Sequence, residues 1–479
     1  MKKISSPLAM LGALAVGAAF ASCTSFSSGG SGGNDSGSGS TGSGGDTSGS
    51  GGDTSGTGTG GDTSTGTGGD TSGTGGSMPT GAGGSSTGTG GSSTGTGGTK
   101  ATGGATGTGG ASSTGGTTGT GGSPGTGGSP AVTTACDVLQ AGGNTCVAAH
   151  STVRVVYPNY TGPLYQVCKG TANAGPSSCK GTTMDIGSLT GGYANAPAQD
   201  TFCSGGTCTI TKIYDQTPNK NDLEPGPPGG AKASADNPAS ATALKTTLNG
   251  HEVYGILIAA GTGYRSGCTG CNTKPTNGFP KGTATGDAAE TEYMITSQNN
   301  LIDGCCFDYG NAETDSHDDG NGTMEAVYFG GGVVWGTGSP GGHTNGPWVM
   351  ADLENGLYAG WSTSTQDQNI TTNTPLKYNF VTAIVVGDTK DKNSNKGRFA
   401  LYGGDATNGA LSTMYDGIRP AKTGYVPMTK QGSIILGIGG DNSDGDGGEW
   451  FEGVMASGAA TTTTLNNLQA NIVAAKYGK

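Results

Sequence analysis

Charge is scarce in this chain of 479 residues: Asp, Glu, Lys and Arg together make up 12%, with 23 basic against 35 acidic side chains and a net charge of −12. A surface so poor in lysine and arginine has no basic face to offer a polyanion, which argues against nucleic acid as a partner. Aromatics are 6% and hydrophobic residues 31%, too few for a core that fills the whole length. The four histidines, His150, His251, His317 and His343, show no metal-ligand spacing. No glycine-rich phosphate loop leads from a strand into a helix, so no cofactor and no metal is implied. The longest apolar run, Leu8 to Phe20, is too short for a spanning helix. What abounds is glycine, with 100 residues, and there are eleven cysteines, a number that an exported chain is expected to pair.

Residues 1–23 place Lys2 and Lys3 ahead of the apolar run and end on small residues before Cys23. That pattern is a secretory signal. Ending on cysteine, it resembles a bacterial lipoprotein signal, which implies lipidation of Cys23 and a membrane anchor in which each buried methylene adds ~0.8 kcal/mol. Thr24 carries no recognisable retention signal, so outer-membrane or cell-surface delivery is expected. Residues 24–134 are nearly all Gly, Ser and Thr, 44 of the 111 being glycine, with Asp-Thr-Ser recurring at Asp46, Asp53, Asp62 and Asp70. Without an apolar period this stretch cannot repay its ordering entropy. It reads as a disordered linker spanning roughly 55 to 65 Å.

Residues 135–479 have a different composition, with 20 basic and 30 acidic side chains and the remaining ten cysteines. Thr209 to Tyr214, Glu252 to Ile258, Tyr378 to Val386, Gly397 to Tyr402 and Ser433 to Ile438 are short, β-branched or aromatic, and bounded by Gly, Asn, Asp and Pro. They read as strands. The clearest helix is Thr464 to Tyr477, ended by Gly478. Many short strands with glycine-rich turns predict an all-β sandwich or barrel.

Five ordered blocks carry a resemblance: CDVLQAGGNTCVAAHSTVRVVY from Cys136, AQDTFCSGGTCTITKIYDQTPNKNDL from Ala198, GCCFDYGNAET from Gly304, GPWVMADLENGLYAG from Gly346 and MTKQGSIILGIGGDNSDG from Met428. They resemble the catalytic domain of the α-L-arabinofuranosidase B family, glycoside hydrolase family 54. The resemblance implies a two-sheet, concanavalin-like β-sandwich of jelly-roll type. It also implies a retaining, exo-acting α-L-arabinofuranosidase that takes terminal arabinofuranose from an arabinose-containing plant polysaccharide; a monomer is expected. A non-catalytic surface carbohydrate-binding protein on the same sandwich is the alternative.

Retaining hydrolysis needs a carboxylate nucleophile and a second carboxyl as acid and then base, about 5 to 5.5 Å apart. By the resemblance these are Glu354 and Asp441. Each follows an apolar run, so each is placed at the end of a core strand, where a rigid backbone can aim it. The resemblance further implies that Asp352, Asn355 and the Gly440 backbone hold sugar hydroxyls, and that Trp335 and the adjacent pair Cys305–Cys306 pack on the ring. Gly356 departs from the fungal pattern, where an asparagine usually follows Asn355. The fungal relatives also usually carry a β-trefoil arabinose-binding domain after the catalytic one, whereas this sequence ends just past its last helix; weaker binding to insoluble polymer is expected.

On general grounds, each of Cys305 and Cys306 pairs with a distant cysteine, since a vicinal bridge closes a strained ring. The resemblance instead implies that they bond to each other, and that Cys136 pairs with Cys146 and Cys203 with Cys208. Cys168, Cys179, Cys268 and Cys271 are left, as near-neighbour disulfides or as a zinc site; their spacing lacks the two close pairs of a ribbon. Asp441 to Glu452 fits a calcium loop at its two ends, but Gly445 and Asp446 stand in reverse order at its centre.

Overall fold

A computed structural model describes residues 133–268, 280–331, 346–363, 373–389 and 396–479. The leader with Cys23, the glycine-rich stretch, Cys271 and Trp335 lie outside the described residues.

The described chain is mostly β-sheet. One antiparallel sheet runs in the order Ser412–Ile418 (β16), Arg398–Asp405 (β15), Val381–Asp388 (β14), Glu290–Thr296 (β9), Gly448–Ser457 (β18), His251–Ile258 (β7) and Leu244–Leu248 (β6), with Cys146–Ser151 (β1) also paired to β18. A second runs Leu357–Tyr358 (β13), Trp348–Asp352 (β12), Glu325–Gly330 (β11), Asp308–Ala312 (β10), Ser433–Leu436 (β17), Tyr264–Ser266 (β8) and Glu224–Pro225 (β5). Strands β10, β11 and β12 pack against β9, β14 and β15, so these two sheets lie face to face. A third sheet of Thr182–Ile186 (β3), Tyr165–Lys169 (β2) and Cys208–Ile213 (β4) was not foreseen. Helices Ala135–Ala141 (α1), Ala196–Cys203 (α2) and Thr462–Ala474 (α3) complete the described elements.

Period-two alternation decides what faces what. Tyr309, Val327, Phe329, Val349 and Ala351 belong to the core between the two large sheets. Their neighbours along the same strands point the other way: Asp308 lies opposite Tyr328, and Tyr328 opposite Met350. Tyr328, Trp348, Met350, Leu357 and Ala359 form a separate buried cluster on that outer face. Both faces of the second sheet are therefore buried, which is why its strands read as apolar runs with the alternation hidden. Each large side chain so buried contributes about 1.5–3 kcal/mol.

Local chemistry corrects two boundaries. Helix α3 starts before Thr464 because the Thr461 side chain accepts the Thr464 backbone N–H at 3.2 Å and caps the end. Strand β17 stops at Leu436, short of Ile438, because Gly437 turns the chain at φ +77°. Disulfides join Cys136 to Cys146, Cys168 to Cys179, Cys203 to Cys208, and Cys305 to Cys306. The zinc-site reading falls with this, since Cys168 and Cys179 are bonded to each other and Cys268 is also oxidised.

Candidate active site

The outer face of the second sheet carries acids where its strands end. Strand β12 closes on Asp352, and the chain reverses into β13 with Glu354 and Asn355 both left-handed, at φ +60° and +53°. The Leu353 N–H donates to the Gly356 carbonyl at 3.3 Å, closing a two-residue hairpin. Two positive φ values are what such a tight hairpin demands, and asparagine tolerates them. Glutamate does not: a side chain with a β-carbon gives up roughly 1–2 kcal/mol there. Glu354 is held nonetheless. Its N–H donates to Asp352 Oδ1 at 3.0 Å, and its carbonyl accepts the Tyr425 hydroxyl at 2.6 Å. The Tyr425 and Tyr358 hydroxyls bond at 3.1 Å, extending the brace. A side chain at Gly356 would stand 2.8 Å from the Tyr358 ring, so the departure from asparagine at this position fits its packing.

Beyond β17 the chain runs Gly437-Ile-Gly-Gly-Asp441. Asp441 is half-buried, and its Oδ1 accepts the Ser443 N–H at 2.9 Å. The buried Arg265 guanidinium donates to the Gly440 carbonyl and to the Glu313 carbonyl, tying this loop to the end of β10. Cys306 N–H donates to the Ser443 carbonyl at 3.3 Å, so the Cys305–Cys306 bridge lies on the same loop.

Two glycines bring these pieces together. A β-carbon on Gly439 would stand 3.4 Å from Cys306 Sγ and 3.5 Å from Asp441 Oδ1. One on Gly440 would collide with Glu313 Oε2 and stand 3.0 Å from Glu354 Oε2. The diglycine thus passes between Asp441 and the disulfide at one residue and Glu354 with Glu313 at the next. A β-carbon on Gly439 would collide with the Ser443 hydroxyl, and one on Gly440 with Glu313 Oε2, so neither position has room for a side chain.

Five carboxyls crowd here with little positive charge among them. Burial, then Glu313, Asp352, Asp318 and Asp441, holds the Glu354 carboxyl well above the usual range. Burial pushes Asp352 up to about 7, and burial with Asp352 beside it raises Asp308 further. Buried acids crowded together in this way suit proton chemistry. Asn355 is half-buried and donates to the exposed Asp318 at 3.1 Å. Cys306, Asp308 and Asp352 place one potential ligand atom each within 4.8 Å of the others, but the cysteine sulfur is taken by its disulfide. Glu452, the last position of the calcium-loop reading, sits on β18 and binds Arg154 at 2.6 and 2.7 Å.

Sequence reasoning missed Asp308, Glu313, Arg265 and Tyr425. The available signal was two acids in the strand-like run FDYGNAE, where an apolar environment on both faces makes any acid conspicuous.

Comparison with known proteins shows the family of the chain. The profile of the family described as "Alpha-L-arabinofuranosidase B, catalytic" matches residues 135–478. A probable alpha-L-arabinofuranosidase B of Aspergillus fumigatus is 50% identical over 351 residues, covering 72% of this chain and 63% of the relative. An alpha-L-arabinofuranosidase of Hypocrea jecorina is 49% identical over 346 residues, 71% of this chain and 62% of the relative. The chain thus spans under two thirds of the length of these relatives. A crystal structure of an arabinofuranosidase complexed with arabinofuranosyl-alpha-1,2-xylobiose superposes with a TM-score of 0.63 at 44% identity, covering 72% of this chain and 66% of that one. A glycoside hydrolase family 54 α-L-arabinofuranosidase soaked with a cyclic sulfate inhibitor gives 0.62 at 44% identity, with the same coverage. On the strength of this match along residues 135–478, the chain belongs to the alpha-L-arabinofuranosidase B catalytic family.

Proposed function

We propose that this protein is a retaining, exo-acting α-L-arabinofuranosidase. The observation that carries the reading is the meeting of Glu354, Asp441 and the Cys305–Cys306 bridge around Gly439–Gly440. Glu354 is the nucleophile and attacks the anomeric carbon. Asp441, half-buried and so open to solvent, protonates the departing oxygen and then, as a carboxylate, activates the water that frees the sugar. Asp352, Asn355 and the Gly440 backbone hold hydroxyls, while the bridge and Trp335 cover the apolar faces of the ring. The arabinofuranosyl-xylobiose bound by the related crystal structure supports a terminal arabinofuranose on a xylan-type backbone as substrate. The two large sheets form the concanavalin-like jelly roll, and residues 135–479 are the catalytic domain.

Residues 1–23 export the chain, Cys23 receives lipid, and residues 24–134 tether the enzyme at the outer membrane or cell surface. The sequence pattern supports this part. Fatty-acid labelling lost in Cys23→Ser checks it.

The test of activity is hydrolysis of an aryl α-L-arabinofuranoside by the full chain beside Glu354→Gln and Asp441→Asn. Release by the parent with initial retention of configuration, abolished in Glu354→Gln, is expected. A folded parent that binds arabinose and releases nothing would leave a carbohydrate-binding protein in its place.

A further inference from the structure

Glu313 follows directly on β10, is fully buried, and has no part in the chemistry above. Its surroundings fix it from three sides. Its backbone carbonyl accepts from Arg265, the same guanidinium that holds the Gly440 carbonyl. Its Oε1 is hydrogen-bonded to the Thr323 hydroxyl. Among the described residues no N–H or O–H is directed at its Oε2, and its carboxyl lies against that of Glu354. Gly440 marks the contact, since a β-carbon there would touch Glu313 Oε2 while standing 3.0 Å from Glu354 Oε2.

Two carboxyl groups in contact are both acceptors when ionised, and the contact becomes a hydrogen bond only if one proton lies between them. We propose that Glu313 is a positioning residue for the nucleophile, sharing one proton with Glu354 and donating it as a hydrogen bond whenever Glu354 is the ionised partner. The proposal rests on the reading of Glu354 as nucleophile. Nucleophilic attack requires the charge on Glu354, so the proton is then on Glu313, where it stays through glycosyl transfer and release of the sugar. The donated bond aims the attacking oxygen and steadies the carboxylate that is regenerated as a leaving group. Burial pushes Glu313 up to about 7 against the lowering by its contacts with Thr323, Glu354 and Arg265, and burial raises Glu354 as well, so the pair as a unit holds a proton near neutrality.

The charged groups around the pair set the balance. Arg265 on β8 acts on Glu313, and Asp352, Asp318 and Asp441 act on Glu354. The two terminal nitrogens of Arg265 donate to backbone carbonyls, and among the described residues no ion pair to Glu313 or Glu354 replaces the shared proton.

The experiment compares the parent with Glu313→Gln and Glu313→Leu as full chains, reading the pH dependence of kcat/KM on an aryl α-L-arabinofuranoside. The amide of Gln is a weaker donor than a carboxylic acid, and Leu donates nothing. The acid limb is therefore expected to move to higher pH, by about half a unit or more for Gln and further for Leu, with kcat lower by about 10- to 100-fold. If Glu313 is instead ionised beside Glu354, removing its charge moves the limb to lower pH, and the proposal fails. An unmoved limb with an ordinary loss of stability marks a merely structural residue and also overturns it. Difference infrared spectra supply a readout independent of turnover: the parent minus Glu313→Gln should show the carbonyl stretch of a buried carboxylic acid near neutral pH, and its absence sinks the proposal. A parent with no hydrolysis but with that band would count against the assigned function and leave the shared proton standing.

Discussion

Two buried clusters of acids lie on opposite faces of the same sheet, and they are built differently. Between the sheets, Glu290, Glu292 and Glu325 surround the buried Lys430, whose ammonium reaches Glu290 at 2.6 Å and Glu325 at 2.7 Å. Asn311 adds donors to Glu290 at 3.2 Å and to Glu292 at 3.1 Å. On the outer face, Glu354, Glu313, Asp352, Asp308 and Asp441 gather with no ammonium bonded to them among the described residues, and Arg265 is turned to the backbone. Burial alone would lower Lys430, but Glu290 and Glu325 override it and hold it charged. A cluster with its own cation is a strut. Burial raises Glu290 and Glu292 there as well, but Lys430 bonds Glu290 and Glu325 in place, whereas the outer acids stand beside half-buried Asp441 and exposed Asp318, where protons can be given and taken.

The sharpest way to separate the two clusters is to remove a charge from each. Glu354→Gln is expected to cut kcat by about 1,000-fold or more with the fold intact, read from steady-state kinetics and a thermal melt. Asp441→Asn should lose far more on a glycosidic bond with a poor leaving group than on one with a good leaving group, because only the first needs a proton. Equal losses on both would remove Asp441 from the acid role. Lys430→Met, by contrast, strands buried carboxylates and is expected to cost about 3–5 kcal/mol of stability, seen in urea unfolding, with kcat per folded molecule unchanged. A large change in kcat at full stability would erase the distinction between strut and site.

The pH dependence of stability carries the same contrast at smaller size. Asp352 is raised in the folded state to about 7, so the fold holds a proton that the unfolded chain releases near pH 4. Its contribution is fully present below pH ~4 and is lost as pH rises toward ~7. Asp352→Asn should therefore flatten part of the fall in stability between pH ~4.5 and ~7.5, by about 1–3 kcal/mol. A melt whose pH slope is unchanged in the variant would show that this carboxyl ionises as an ordinary one. The smallest effect belongs to the hairpin: Glu354→Gly relieves the left-handed strain and is expected to gain up to about 1 kcal/mol while abolishing hydrolysis. Destabilisation instead would mean that the carboxyl contributes more to the fold than its backbone costs.

Much of this was legible before any coordinates. The strands around Ile256, Val385 and Ile435 announce themselves by β-branched runs between turn residues, because a pleated, buried surface selects those side chains. Glu354 and Asp441 stood out through family-like blocks at strand ends, and the structure brings both to one diglycine. The third sheet was less legible, since β3 is largely exposed and its sequence, Thr182–Ile186, has little apolar signal. Trp335 and Cys271 remain readings of the sequence.

Composition and local pattern by themselves determined that the chain divides into a glycine-rich lead and a β-rich region, and which short stretches form strands. Those properties follow from near-neighbour chemistry, the alternation of side chains and the conformational freedom of glycine. Which acids meet was decided only by tertiary structure. Glu313, Glu354 and Asp441 are scattered along the sequence, and nothing local distinguishes Glu313 from Glu325 or Glu292. Strand order places β10, β12 and β17 in one sheet, and the two-residue period then sends Asp308 and Asp352 to the outer face and Asn311 to the inner one. Whether a buried acid becomes a strut or a reactive group depends on whether a packed neighbour supplies a cation, as the segment leading into β17 supplies Lys430, and that is decided by the packing of the sheets.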